Sequence, residues 1–205
     1  MTRSLSLVKM STVIACLGLF VAAPALAECT ISGDIAAEMV NDPDLGTYCY
    51  TLTVNWDTGG PHGLSHLDLL VDFEEGTCEC EDFLNSINFP AIAGESDGEP
   101  GFCVVEYEGW IECDGDPSIP GVDGILFKYE PIEEDCEPGP IGTGYFKFYS
   151  DLEPVPVDES LPLVIEKASG ESCEGLITGV FPGLSCDPVS AETTSWTHLK
   201  GMFSD

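Results

Sequence analysis

One stretch, residues 59–73, most constrains how this chain can fold. A Gly-Gly-Pro turn opens it, and apolar positions then alternate with mostly acidic ones: Leu67, Asp68, Leu69, Leu70, Val71, Asp72 and Phe73. Successive side chains of a β-strand point to opposite faces, so this period of two is typical of a strand with one face in a core. On such a strand His62 and His66 lie on the same face.

Further segments of this kind follow along the chain. Residues 48–56 are rich in aromatic and β-branched side chains, which favour strands. We predict other strands at residues 102–108, 110–113, 125–129, 145–149, 163–167 and 176–180. Residues 29–40 form a short segment with some helical character at 35–40, and residues 95–101 are typical of a loop. About eight short strands spaced by turns predict an all-β fold, an antiparallel β-sandwich or jelly roll stitched by disulfides.

The beginning of the chain predicts an export signal. A basic start and an apolar run over residues 10–23 precede Ala-Leu-Ala at 25–27, a small-x-small cleavage pattern. We therefore expect residues 1–27 to be removed and residues 28–188 to form the β domain. A lipoprotein cut before Cys16 is the alternative. No later run is long enough to span a membrane, so we expect an extracellular, cell-surface or periplasmic location.

The charge of the chain narrows the choice of partners. It has 37 acidic and only 6 basic residues, and its formal net charge is −31. Such a surface repels nucleic acid and anionic membranes. Cell-envelope components or glycans are the expected partners. Two explanations of the acidity stay open: carboxylate clusters that bind divalent cations, or solubility in a saline or crowded extracellular setting.

Cysteines that follow the signal segment predict a disulfide framework. They are Cys29, Cys49, Cys78, Cys80, Cys103, Cys113, Cys136, Cys173 and Cys186. In an exported chain they are expected to pair, and an odd number leaves one thiol free or paired between chains. Connectivity cannot be deduced from spacing alone. Loop length and expected hairpins favour Cys29–Cys49, Cys103–Cys113 and Cys173–Cys186, with Cys136 bonded to Cys78 or Cys80.

An acidic, Gly- and Pro-rich segment is a candidate calcium site. Asp114, Asp116 and Asp123, together with loop carbonyls, offer the several oxygen ligands that calcium takes. Their spacing is not that of an EF-hand. The alternative interpretation is a solvated loop in a very acidic protein.

The close histidine pair is a second candidate metal site. His62 and His66 could hold a transition metal, with Cys78 or Cys80 as a third ligand. Alternatively, both rings hydrogen-bond to loop backbone and orient the Gly-Gly-Pro turn. Oxidation of the thiols in disulfides would favour the second interpretation.

Several short motifs together resemble a known kind of protein. They are His-Gly-Leu-Ser-His at 62–66, Gly-Ile-Leu-Phe-Lys at 124–128, Phe-Lys-Phe at 146–148, and residues 164–170 and 175–179. In this order they resemble secreted bacterial surface domains, of the kind often found ahead of varied cell-surface anchors. The resemblance implies an all-β module with a structural or binding role, and it carries over no functional residue.

Residues 189–205 predict a separate C-terminal tail. Its apolar residues Trp196, Leu199, Met202 and Phe203 are placed at helical spacing after a polar linker. The tail is similar to the Trp-x-x-Leu-Lys endings of exported proteins in some Gram-negative lineages, which implies a sorting or anchoring signal. The alternative is a short amphipathic helix docked on the domain.

No catalytic signature accompanies these features. The chain has no Gly-x-Ser-x-Gly, no His-Glu-x-x-His and no phosphate-binding loop. We therefore expect a non-catalytic secreted or cell-surface module of a bacterium, structural or adhesive. A calcium- or carbohydrate-binding extracellular domain is the alternative, since one or two strand aromatics on an open sheet face could stack on sugars. A secreted hydrolase is the third possibility, because paired carboxylates are plentiful.

Overall fold

The computed structural model describes residues 29–71, 78–99, 103–119, 122, 124–132, 135–157, 161–167 and 172–184. The predicted signal segment, Asp123, Cys186 and the tail lie outside these residues. The elements in chain order are β1 Thr30–Asp42, β2 Gly46–Asp57, β3 Leu64–Leu70, α1 Cys80–Ser86, β4 Ile87–Asn88, β5 Gly94–Glu99, β6 Cys103–Glu112, β7 Leu126–Pro131, β8 Glu137–Pro138, β9 Ile141–Ser150, β10 Pro154–Pro156, β11 Leu161–Lys167 and β12 Ser172–Pro182.

These strands form one curled, mixed sheet. The pairing order is β4-β9-β2-β1-β12-β11-β3-β7-β6-β5-β8, and β10 pairs with β12. β5 also pairs with β9, so the pairings return on themselves through the nine longer strands. β1 and β12 are parallel, with Ser32 opposite Leu176, and the other pairings among the described strands are antiparallel.

The all-β prediction is confirmed, and the finer prediction of a sandwich or jelly roll is not. A sandwich needs two separate sheets packed face to face, whereas each long strand here has neighbours within the same curled sheet. The parallel contact between β1 and β12 joins the two ends of the described chain. Alternation within a segment reports which face is buried and carries no information about which strand lies beside it.

β1 corrects the helical character expected of residues 35–40. The segment pairs with β2 in continuous antiparallel register from Thr30 to Met39. Ile31 and Ile35 point into the core, while residues between them are more exposed. Pairing with β2 outweighs the weak helical preference of the Ala-Ala-Glu-Met run of β1.

β5 corrects the loop expected at residues 95–101, of which 100 and 101 are outside the described residues. Its glycines are a packing requirement. A Cβ at Gly94 would lie 2.5 Å from the Phe146 ring, and one at Gly98 would lie 2.4 Å from the Cys136 sulfur. Glycine lets this strand approach bulky side chains, so a glycine-rich sequence that suggests a loop forms a strand.

The core inside the curled sheet is rich in aromatic rings. Phe127 on β7 packs against Phe148 on β9, with ring centroids 5.0 Å apart in an edge-to-face arrangement. Phe83, the buried residue of α1, meets the same ring. Such pairs each add about 0.5–1.5 kcal/mol beyond the burial of their area. α1 therefore adds one aromatic ring to the core of the sheet.

β3 confirms the strand predicted within residues 59–73. Leu67 and Leu69 are fully buried in the core, as their alternation predicts. The opposite face is not solvated, because His66 is 5% exposed and Asp68 is 0% exposed. Another part of the chain must therefore cover this second, polar face.

Disulfides join parts of the chain that are distant in sequence. Cys29 bonds to Cys173, Cys80 to Cys113 and Cys103 to Cys136. Cys78 is also disulfide-bonded, and Cys49 is the free cysteine among the described residues. Every pairing favoured by sequence is wrong, since short loop length was the criterion. Cys29 instead meets Cys173 because β1 and β12 are neighbours in the sheet.

We expect the Cys103–Cys136 bond to contribute a large part of the free energy of unfolding. Replacing both residues by alanine should lower the free energy of unfolding by about 3–4 kcal/mol, because the bond closes a loop with a sequence separation of 33. Urea unfolding measures this loss. Cys49→Ala is the matched control and should cost far less. An equal loss in both variants, or more than one thiol alkylated per unfolded, unreduced chain, would contradict the assigned framework.

Candidate functional site

A segment between β6 and β7, described at residues 113–119, 122, 124 and 125, covers the polar face of β3 through Asp116. We call it the acidic loop. It is closed by its own backbone, because Gly115 N–H donates to the Gly124 carbonyl at 2.8 Å and Asp116 N–H donates to the Val122 carbonyl at 3.2 Å. Both glycines have positive φ angles, 76° at Gly115 and 106° at Gly124, which residues other than glycine rarely adopt. This closure accompanies the burial of Asp116, which is 3% exposed.

Four side chains meet beneath the loop, and we call them the polar cluster: His66 and Asp68 of β3, Asp116 of the acidic loop, and Lys128 of β7. His66 Nε2 lies 3.2 Å from Asp116 Oδ2 and 3.4 Å from Asp68 Oδ2. Asp68 and Lys128 are opposite each other in the register of β3 and β7. The sheet thus fixes three members, and the loop brings the fourth.

Lys128 is the cation at the centre of this cluster. Its ammonium donates to Asp116 Oδ2 at 2.5 Å and lies 3.1 Å from Glu130 Oε1. It also lies 5.9 Å from the centroid of the Trp110 ring on β6, within the range of a cation–π contact. The ammonium therefore has partners on the loop, on its own strand and on β6.

The carboxylate of Asp116 is fully engaged. In addition to Lys128, it accepts hydrogen bonds at Oδ1 from the Ser118 backbone N–H at 2.7 Å and from the Ser118 hydroxyl at 2.6 Å. Burial alone would raise the pKa of Asp116, but the bonds from Lys128 and Ser118 outweigh it and hold the pKa well below its usual range. Burial lowers the pKa of Lys128, and its bonds to Asp116 and Glu130 raise it above the ordinary value.

Asp68 lacks the hydrogen bonds that Asp116 accepts. Neither of its oxygens has a hydrogen bond among the described residues, although the side chain is fully buried. Burial raises the pKa of Asp68, and the nearby His66 offsets that rise only in part. A buried carboxylate without hydrogen bonds is unusual, because desolvating the charge costs free energy that bonds normally offset.

Three atoms of the cluster are placed as metal ligands would be. His66, Asp68 and Asp116 each offer one donor atom, and these atoms all lie within 4.8 Å of one another. An imidazole and two carboxylates on two elements could hold one cation between the loop and the sheet. The three side chains are all buried, so the loop would enclose such an ion.

Asp116 is the one member of the predicted calcium group that the structure places in the cluster. Asp114 is exposed, and Asp123 is outside the described residues. The neighbours of Asp116 are His66 and Asp68, which the calcium prediction did not include. A set with an imidazole differs in chemistry from the all-oxygen site that was predicted.

Only one histidine of the predicted pair lies in the polar cluster. His66 is in the cluster, whereas His62 is exposed before β3, and its carbonyl accepts a hydrogen bond from the Thr58 hydroxyl at 2.6 Å. Cys78 and Cys80 are in disulfides and offer no thiolate. The sequence interpretation missed Asp68 and Lys128. Asp68 follows His66 by two residues on a strand, and that same-face spacing is the signal that could have found it.

Aromatic residues of the strands are mostly in the core, with one clear exception. Trp56 is buried and donates its ring N–H to the Gly139 carbonyl, and Tyr107 and Tyr129 are fully buried. Tyr145 on β9 is 52% exposed. It lies on the outer face, in register with Thr53 of β2 and Glu95 of β5.

Comparison of the chain with known protein families and with curated protein sequences finds no match. Among the described residues, no helix is long and apolar enough to cross a membrane.

The buried charge of Asp68 predicts an unusual pH response. Asp68→Asn should raise the melting temperature at pH 7 in EDTA-treated protein, because asparagine avoids a buried charge with no hydrogen bond. The difference should shrink on acidification. Because the pKa of Asp68 is raised in the folded state, Asp68 takes up its proton at a higher pH in the folded protein than in the unfolded chain. The destabilisation by the buried charge is therefore lost by about pH 4, near the ordinary pKa of aspartate.

Asp114→Asn is the matched control, since Asp114 is an exposed aspartate of the same loop. It should show no comparable pH-dependent gain over the wild type. Thermal unfolding of the three proteins between pH 4 and pH 8 measures both effects. A marked loss of stability in Asp68→Asn at pH 7 would show instead that the ionised carboxylate stabilises the fold.

Proposed function

We propose that this chain is an exported, non-catalytic module of a bacterial cell surface or extracellular space, with a structural or adhesive role. The observation that carries the proposal is the burial of the polar cluster. His66, Asp68 and Asp116 are the described residues best suited to chemistry, and all three are buried beneath the acidic loop. A substrate cannot contact groups enclosed in this way unless the loop leaves the sheet, so the cluster serves the fold.

Two further features support this proposal. Three disulfides join described residues that are 33 or 144 positions apart, and Cys78 is disulfide-bonded as well, which fits the oxidising conditions outside the cytoplasm. The formal net charge of −31 keeps such a module soluble and repels nucleic acid. A basic and apolar beginning with a small-x-small pattern supports export, and the motif resemblance to bacterial surface domains supports the location.

Expression of the full chain in a Gram-negative host tests the proposal. We expect the protein to begin at Glu28, to have its disulfides formed, and to be accessible to protease added to intact cells or to be released into the medium. N-terminal sequencing and fractionation measure this. A variant lacking residues 1–27 is the control and should stay in the cytoplasm with reduced cysteines. Cytoplasmic retention of the full chain, or hydrolysis of model glycosides or esters that Asp116→Asn abolishes, would overturn it.

A carbohydrate-binding role is the second candidate, and Tyr145 favours it. Its exposed ring has a hydroxyl-bearing neighbour, Thr53, and a carboxylate neighbour, Glu95, on the adjoining strands. An aromatic face beside hydrogen-bonding groups is an arrangement that binds sugars, because apolar faces of the sugar stack on the ring while hydroxyls bond to the polar neighbours.

The Tyr145→Ala variant tests this second candidate on a glycan array. We expect the wild type to bind a glycan and the variant to bind it about tenfold more weakly, which corresponds to about 1.4 kcal/mol. Ile141→Ala is the matched control, because Ile141 is 71% exposed and belongs to the same strand. Equal affinity of the two variants, or no glycan bound by the wild type, would contradict carbohydrate binding through this face.

A further inference from the structure

We infer that His66, Asp68 and Asp116 bind one divalent first-row transition-metal ion, such as Zn²⁺ or Mn²⁺, between the acidic loop and β3. This inference goes beyond the proposed function, and its failure would leave the export and the surface location untouched. Three independent observations support it: the spacing of the donor atoms, the state of Asp68, and the charge balance around Lys128.

The spacing matches a shared coordination sphere. Ligands about 2.0–2.2 Å from a metal ion lie about 3.0–3.5 Å apart in octahedral or tetrahedral geometry. His66 Nε2 lies 3.2 Å from Asp116 Oδ2 and 3.4 Å from Asp68 Oδ2. All three donor atoms lie within 4.8 Å of one another. A metal ion therefore fits with small movements of the side chains.

Asp68 supplies the second observation. Its side chain is fully buried, and neither oxygen has a hydrogen bond among the described residues. Buried carboxylates are normally paired, hydrogen-bonded or bound to a metal ion. A cation held with His66 and Asp116 would use the lone pairs of Asp68 that no donor in the described part of the chain satisfies.

The charges around Lys128 leave room for such a cation. Lys128 contacts both Asp116 and Glu130, at 2.5 Å and 3.1 Å. A metal ion on Asp116 would shift the ammonium towards Glu130, which is partly exposed and stays bound to it. Two aspartates then balance the dication, and Glu130 balances Lys128. The competing explanation is that Lys128 is the permanent cation of the cluster.

The donor set selects the class of ion. Calcium and magnesium prefer oxygen ligands, so the imidazole of His66 disfavours both. Soft ions that prefer thiolates are disfavoured as well, because Cys113, at the start of the acidic loop, is in a disulfide with Cys80. One imidazole with two carboxylates suits Zn²⁺, Mn²⁺ or Fe²⁺.

Metal titration of the secreted, EDTA-treated protein tests the inference. We expect one Zn²⁺ per chain by equilibrium dialysis and a rise of several degrees in melting temperature with Zn²⁺ or Mn²⁺, through preferential binding to the folded state. Ca²⁺ and Mg²⁺ at the same concentration should give much smaller rises. An equal rise with all four ions would indicate screening of the acidic surface and would overturn the site.

Variants separate the metal site from a permanent Lys128 cation. Asp68→Asn should bind Zn²⁺ at least tenfold more weakly, while its metal-free form keeps its fold. His62→Gln is the matched control, because His62 is exposed and outside the cluster, and it should bind like the wild type. Unchanged affinity in Asp68→Asn would show that the ion binds without Asp68, and no binding by the wild type would leave Lys128 as the cation of the cluster; either result would overturn the inference.

A measurement on the wild type alone keeps the test decisive if the variant does not fold. The chain has three histidines, so its imidazole signals can be resolved by NMR. Substoichiometric Mn²⁺ should broaden the signals of His66 before those of His62 and His198. Equal broadening of all three, or earlier broadening of either other ring, would overturn the assignment.

Discussion

The contact between Asp116 and Lys128 decides how the acidic loop lies on the sheet. It joins a loop carboxylate to an ammonium on β7 at 2.5 Å, and it lies above a second buried acid, Asp68. A buried ion pair adds little net stability, because desolvation of the two charges offsets their attraction, yet removal of one partner typically costs about 3–5 kcal/mol. The pair therefore favours a placement of the loop in which neither Asp116 nor Lys128 is left as an unpaired buried charge. The disulfide between Cys113 and Cys80 holds the loop at its beginning, so a covalent bond and an ion pair fix the same segment.

The sheet also depends on contacts between distant parts of the chain. β1 and β12 are parallel neighbours, and the Cys29–Cys173 bond spans a sequence separation of 144 beside them. Non-local pairings form late, because the entropy of closing a long loop must be overcome before the contacts contribute. Disulfides that join distant strands reduce the entropy of the unfolded chain, and the reduction is largest for long loops. Covalent links between distant strands thus suit a fold whose contacts are mostly long-range.

Sequence patterns predicted the local part of this structure and missed the non-local part. Aromatic and β-branched composition identified β2, and alternation identified β3, because the spacing of apolar residues shows which face of a strand is buried. These strands gave the all-β class. β1 and β5 were missed because their strand conformation comes from neighbours in the sheet and from glycines that accept bulky contacts. The same reason explains the wrong disulfides and the wrong sheet architecture. Within the site, His66 and Asp116 were each identified, but in separate groups, since no sequence rule places a loop across a strand about 50 residues earlier.

Positive charge is scarce in this chain, and the polar cluster contains one of its few basic residues. This chain has only 6 basic residues against 37 acidic ones, and it buries one of them, Lys128, between a loop and a strand. On the surface that ammonium would be screened by solvent and would do little for any single carboxylate. In the interior it stabilises the ionised form of Asp116, whose pKa is held well below its usual range, and it still leaves Asp68 without a hydrogen bond. One buried ammonium therefore faces two buried acids. The second charge is balanced by a proton on Asp68, by a protonated His66 between the two carboxylates, or by the metal ion that we infer.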